Sequence, residues 1–448
     1  MTLIQMSGIP NSRFYLYFCC FFISIGQYKV YGQSGLSKIY EYISNHPEIG
    51  NSKKTYKTLL VDSLNQIDYI KPFKKLLADK PKYTSLDLSR EFYYEAGILA
   101  TFIADYRSAI AFFDSSENIS RTKKIELNEL QKSRYDSLEI ANLNVLYSAI
   151  DTSRIVMLNE SHHKSLNRVF AYSLLDYLYS KGFRYFAAEA LQNISKLNFK
   201  SKSFYLSRDV GFYTLDPAMA ELFRYALHIG FRLIPYEFTG DMLDREIMQA
   251  FNISKAFNES KDNKLFVYAG YGHIEKEKSE EFKPMGYFLN MFTGVNPLTI
   301  NQERYTEGNV NSVSQEGYKY LVKKYGIIHP SVLMKNGRSF FVGNKQMYDF
   351  YLLHPTTLQN ELRPNWLSKF SISKERVQIK DIQKDCFLVQ AFYSNELKKA
   401  KNLNKIIPAD QTYDSSSGYF LYIKKGIYNI IQRDIDNNII YNKKLNIK

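Results

Sequence analysis

Between residues 146 and 305 the hydrophobic pattern switches repeatedly between two periods, and the apolar runs end in ionisable residues. Ile155-Val156-Met157-Leu158 is unbroken, stops at Asn159, and is followed at once by Glu160, His162 and His163. A short continuous apolar run predicts a strand covered on both faces. From Leu166 the spacing lengthens through Phe170, Leu174, Leu175 and Leu178, and Gly182 stands just beyond. That is an amphipathic helix with its stop signal.

The same sequence of events recurs. Arg184-Tyr-Phe-Ala-Ala leads to Glu189, Phe231-Arg-Leu-Ile-Pro-Tyr236 to Glu237, and Leu265 through Gly272 to His273. Asp216-Pro217 opens a helix over 218–228 that Gly230 closes, Asp241–Phe257 reads as another helix, and 297–302 as a fifth strand. Strands alternating with helices predict an α/β fold with a mostly parallel sheet and flanking helices. Such sheets bind ligands outside the carboxyl ends of their strands, so the four terminal groups are expected to converge there.

The flanks differ in texture. Residues 34–145 read as helical, and Tyr93-Tyr94-Glu-Ala-Gly97 followed by Tyr106-Arg-Ser-Ala109 has the small-beside-aromatic pattern of one tetratricopeptide-like hairpin. Helices are also expected over 123–130 and 138–146. One copy makes no solenoid, so the hairpin is expected to pack on the core, with a protein partner as the alternative. Residues 311–448 alternate short apolar runs with Asn, Gly and Asp turns, which predicts a small β-rich accessory region. The expected divisions are therefore 1–33, 34–145, 146–310 and 311–448.

Residues 1–33 resemble an export signal: Arg13 precedes the apolar stretch Phe14–Gly26, and cleavage is expected near Gly32 or Gln33. The expected location is periplasmic, surface-bound or secreted, with no stable membrane span after cleavage. Removing Arg13 and Lys29 takes the net charge from +14 to +12, and Cys386 is then the one cysteine left. That excludes an intramolecular disulfide and a cysteine-rich zinc site. The basic excess is scattered, without the arginine-rich helix or aromatic interleaving of a nucleic-acid module, so no nucleic-acid partner is expected.

Glu160-x-x-His163 at a strand end places a carboxylate and an imidazole where they can activate water, with His163 as base and His162 in support. Glu189 and Glu237 follow apolar runs, need cations such as Arg208 or Arg245, and are expected to position water or protonate a leaving group. His273 follows Gly270-Tyr271-Gly272 and is expected to stabilise an oxyanion. His163, His273, Glu160 and Glu189 would also suit Zn or Mn, and Tyr271 or Tyr236 could serve haem as an axial ligand. The favoured reading needs no cofactor. No Gly-x-Ser-x-Gly elbow is present, which argues against an ordinary serine hydrolase.

Leu158-Asn-Glu160-Ser-His-His163, the helix to Gly182, and Ala188-Glu189 resemble the opening of the erythromycin esterase family, with its Gly-Glu-x-x-His motif and second strand ending in Glu. Arg245-Glu…Ala250-Phe-Asn252 ahead of the His273 strand is similar to that family's Arg-Asp…Met-Ala-x-Asn helix. The resemblance covers about residues 150–305. It implies that Glu160, His163, Glu189 and His273 form a hydrolytic site for an ester, lactone or amide of a small-molecule substrate, without a covalent serine intermediate. Asn159 stands where the motif has glycine, and Gly270 where the family has a further histidine. The same superfamily includes ChaN-like haem-binding lipoproteins and TIKI-type metal-dependent proteases.

Overall fold

The computed structural model describes residues 35–448, except 65, 119–125, 193–197, 200, 202, 239, 281, 309–311, 341–345, 361–362, 370–374 and 414–417. The expected export signal lies outside the described residues, as does part of the helix expected over 123–130. No helix among the described residues is long and apolar enough to cross a membrane.

Nine described strands build the central sheet: β1 Glu139–Ala141, β2 Ile155–Glu160, β3 Tyr185–Ala188, β4 Arg232–Pro235, β5 Leu265–Gly270, β6 Leu298–Tyr305, β7 Ser331–Lys335, β8 Arg338–Ser339 and β9 Phe350–Leu353. Their order is β1-β7-β9-β6-β2-β5-β3-β4, with β8 paired to β7. From β9 to β4 every neighbouring pair is parallel. Strands β1, β7 and β8 pair antiparallel. The protein is thus mixed α/β with a mostly parallel sheet and flanking helices. Residues β2 and β5 are buried throughout, as their unbroken apolar runs require.

Helices cover the sheet: α1 Ser89–Phe102, α2 Tyr106–Asn118, α3 Ser165–Ser180, α4 Pro217–Ile229, α5 Met242–Phe257 and α6 Met285–Thr293 carry the parts that matter for the site. Asp216 caps α4 by accepting the Ala218 N–H at 3.0 Å, and Gly230 ends it at φ +106°. That left-handed conformation costs glycine little. Asp241 caps α5 in the same manner.

Two expectations change. Residues 331–353, assigned to the accessory region, extend the central sheet, because β9 pairs with β6 and β7 with β9. The accessory part proper begins later, with the strand pairs Gln359–Asn360 with Arg363–Pro364 and Glu375–Ile379 with Tyr419–Ile423, and the four antiparallel strands Leu388–Tyr393, Asp410–Tyr413, Gly426–Arg433 and Ile439–Ile447. The stretch expected as a helix over 138–146 instead supplies the edge strand β1 before a helix starts at Asn144.

The α1–α2 hairpin packs on the core. A Cβ on Gly97 would lie 3.1 Å from the Ala109 carbonyl, so glycine permits the close helix crossing. Phe102 at the end of α1 meets Phe212, and from α2 Tyr106 reaches Asp216 and Phe113 lies against His163. The hairpin therefore roofs the carboxyl edge of the sheet.

Candidate active site

Sheet register brings the strand ends together. Glu160 stands opposite Gly270, and Ala188, just before Glu189, stands opposite Tyr268 and Pro235. Glu160, at 2% exposed, is gripped by Arg168 from the first turn of α3, with Nε and one terminal nitrogen each 3.0 Å from a carboxylate oxygen. Arg168 is fully buried, and its other terminal nitrogen lies 2.6 Å from Asp216, which also accepts the Ser165 hydroxyl at 2.5 Å. Burial pushes the Glu160 carboxyl up, but the Arg168 charge and the His162 contact outweigh it and hold it at about 2.

His162 completes this side. Its Nδ1 is 2.9 Å from Glu160 Oε1, and its ring stacks on Tyr213 and meets the edge of Tyr271. A carboxylate that stays ionised accepts a hydrogen bond from Nδ1–H, which leaves Nε2 as the basic nitrogen. A Cβ on Gly270 would meet His162 Cε1 at 2.5 Å, Nε2 at 2.7 Å and Glu189 Oε2 at 3.1 Å. The basic nitrogen and the second carboxylate thus flank one bare glycine.

Glu189 receives the Gly270 N–H at 2.5 Å and Arg245 at 2.7 Å, with His273 Nε2 3.6 Å away. Burial raises its carboxyl, but His273, His162 and Arg245 outweigh that and hold it at about 2. His273 turns Nδ1 toward the fully buried Glu246, 2.5 Å away, while Nε2 faces Arg245 at 3.2 Å. Burial opposes a charge on this ring, yet Glu246 and Glu189 raise its pKa above the ordinary value. The site therefore holds two carboxylate–imidazole pairs, Glu160–His162 and Glu246–His273, on either side of Glu189.

Several expected residues have other duties. His163 is not in the cluster: its ring lies flat on Phe113, 3.4 Å between centroids, and neither nitrogen is bonded. Consecutive residues leaving a strand point apart, so only one of the two histidines can join Glu160, and that one is His162. The imidazole beside Glu160 is therefore His162, where His163 was expected. Glu237 has its oxygens filled by Arg245 at 2.9 and 2.8 Å, Gln249 at 2.8 Å and the Phe238 N–H at 2.8 Å, so it holds Arg245 rather than water. Arg208 lies beside Asp209 and the Phe212 ring and bonds neither Glu189 nor Glu237.

Tyr236 is fully buried, with its hydroxyl 3.3 Å from the Tyr268 carbonyl. Tyr271 adopts φ +45°, unusual for a non-glycine residue, and Asn159 pins its carbonyl at 2.9 Å while accepting the Gln302 N–H at 2.9 Å. Asn159 thus ties β2 to β6 and to the turn behind Gly270. Arg168 and Gln249 were not singled out from sequence, and Asp216 and Glu246 entered there only as a helix start and as part of the Arg245-Glu pair. The cue was present for Arg168 and Glu246, since charged residues on the buried face of an amphipathic helix need partners.

The donor set fits a divalent cation poorly. Glu160 and Glu189 are each neutralised by a guanidinium, His163 is remote, and among the described residues no group of three or more His, Cys, Asp or Glu is arranged to hold a metal. Haem fits no better, because Tyr236 is sealed in the core and the Tyr271 hydroxyl is buried.

No protein-family model matches the chain, and no curated protein matches it. Among solved structures, the chain is similar to RRSP, a MARTX toxin effector domain from Vibrio vulnificus CMCP6, at 12% identity and a TM-score of 0.29, over 59% of this chain and 62% of that one. A bacterial protein toxin structure follows at 14% identity and a TM-score of 0.26, over 59% and 73%. The signal recognition particle receptor FtsY from Elizabethkingia anophelis is similar at 10% identity and a TM-score of 0.24, over 66% and 88%. The chain spans less than two thirds of the RRSP domain. Likeness at this level carries no weight for function.

Proposed function

We propose that the chain is a hydrolase of the erythromycin-esterase-like kind that cleaves an ester, lactone or amide by metal-free water activation. One observation carries this reading: His162 Nε2 and Glu189 Oε2 both lie within about 3 Å of the position a Gly270 Cβ would take. The His162 ring packs on Gly270 with no room between them, so a water admitted between His162 Nε2 and Glu189 Oε2 when the ring shifts would give its proton to His162, whose Nδ1 proton is held by the ionised Glu160. Glu189 orients the water and cannot easily take the proton itself, with a pKa held at about 2. The attacked carbonyl oxygen would gather charge toward Arg245 and His273. His273, its pKa raised, then protonates the leaving group while Glu246 steadies the ring. Opposed base and acid on two imidazoles is the division of labour that a hydrolysis needs.

The gap is lined by Tyr213, Met219 and Tyr268 and is closed over in this conformation, so substrate entry requires the aromatic cover to move. The test is a panel of chromogenic esters, lactones and anilides with the wild type and Glu189→Gln. Hydrolysis of at least one class, lost in the variant while its circular dichroism is unchanged, supports the reading. A wild type inert on every class, or a fully active variant, overturns it.

A further inference from the structure

The strand Ile439–Ile447 has nine residues, the longest among the described strands. It pairs antiparallel with Gly426–Arg433 and stands at the outer edge of its four-stranded sheet, so no other described strand pairs with its far side. Ile440, Leu445 and Ile447 anchor it on the apolar cluster that includes Val389, Ala391, Tyr428 and Ile430. Ile439, Asn442, Lys443, Lys444 and Asn446 are exposed. About 30 Å of anchored backbone therefore presents alternate N–H and C=O groups outward.

Proteins commonly blunt such an edge by shortening it, covering it or placing proline in it. Residues 439–448 contain no proline, and what stands there instead is charge: Lys443, Lys444 and Lys448, with no acid. Adjacent residues point to opposite faces of a sheet, so Lys443 and Lys444 set one ammonium on each face. Lys443 is the middle residue of the nine, so two copies pairing edge to edge in full antiparallel overlap would set it against itself. Like charges directly opposite each other destabilise a strand pair, whereas opposite charges stabilise it. The lysines therefore disfavour a second copy and favour a strand with acids at its centre. Lys443 already meets Asp381 at 2.7 Å, but both side chains are more than half exposed, and a pair in water is weak enough to be exchanged.

We propose that the free edge of Ile439–Ile447 is a docking site for an extended acidic segment of a partner protein. The segment adds a fifth strand to the sheet and sets neighbouring acids against Lys443 and Lys444. Main-chain hydrogen bonds supply the affinity and the two lysines the selection. Ile427 and Ile439, 55% and 49% exposed, lie at the two ends of the strand pair and offer apolar contacts there.

The test uses the full chain and a fluorescein-labelled nine-residue peptide of threonine and valine with two adjacent glutamates at its centre. Anisotropy should rise saturably with the protein, and hydrogen exchange should slow in residues 439–448. The same peptide with two lysines in place of the glutamates should not bind. Lys443→Glu with Lys444→Glu, two exposed changes that leave the circular dichroism unaltered, should weaken the acidic peptide about tenfold or more, as expected for two charge pairs reversed. No binding, equal binding of the lysine peptide, or binding without protection of 439–448 would overturn the proposal. Full displacement by single-stranded oligothymidylate would reduce the edge to a plain basic surface and overturn it too. A dimer in light scattering that protects the same residues would make a second copy the occupant, against the proposal.

Discussion

On one flank of the β2 terminus, His162 is bonded to Glu160, and every charge around it is answered by another: Arg168 by Glu160 and Asp216, Arg245 by Glu189 and Glu237, His273 by Glu246. On the other flank, one residue along the chain, His163 lies on Phe113 beside Lys164 with nothing bonded to either nitrogen. Both flanks are buried. The paired flank can keep two carboxylates ionised inside the protein, which water activation requires. The unpaired flank leaves both His163 nitrogens and the Lys164 ammonium buried without a bonded partner. Burial alone therefore gives neither property; the partners decide.

Removing the pairing should produce the largest effect. Arg168→Met leaves Glu160 and Asp216 buried without a cation, and chemical denaturation should show a loss of about 3–5 kcal/mol. A loss under about 1 kcal/mol would mean that the network is not what stabilises the strand end. Gly270→Ala comes next, since the new Cβ would sit 2.5 Å from His162 Cε1 and must displace the ring. A fall in kcat/KM of about a hundredfold with little change in melting temperature is expected from such a misplacement.

The pH responses are smaller and differ in sign. Glu160 and Glu189, held at about 2, contribute stability that is present above the ordinary carboxylate range and lost as pH falls toward 2. His163, well below its ordinary value, and His354, pushed by burial to about 3, bind protons only when unfolded. They should make stability decline as pH drops below about 6.5. His163→Leu should flatten that slope, measured by urea unfolding between the two ranges. His273 runs the other way: its raised pKa adds stability below 6.5 that is lost as pH rises through the folded value. If it is the leaving-group acid, kcat should fall over the same rise.

Much of this was legible in the residues. The apolar runs before Glu160, Glu189 and Glu237 are strands β2, β3 and β4, and the capping pairs Asp216–Pro217 and Gly230 mark α4. These are local signals, carried by period and by turn chemistry. What could not be read was orientation and long-range pairing. Sequence spacing made Glu160-x-x-His163 look like the working pair, but the chain turns between residues 160 and 165, and the adjacent imidazole meets the carboxylate. Glu246 pairs with a ring 27 residues on (273 − 246), and β9 joins β6 across residues 306–349. Neither has a local signature.

The central claim, that His162 and not His163 is the base, is tested most directly by measuring hydrolysis with His162→Ala and His163→Ala side by side on the first substrate the panel yields. The account predicts a loss of about 10²–10⁴-fold in kcat for His162→Ala, the range for a general base, and at most a severalfold change for His163→Ala. The reverse order, with His163→Ala inactive and His162→Ala active, would contradict it.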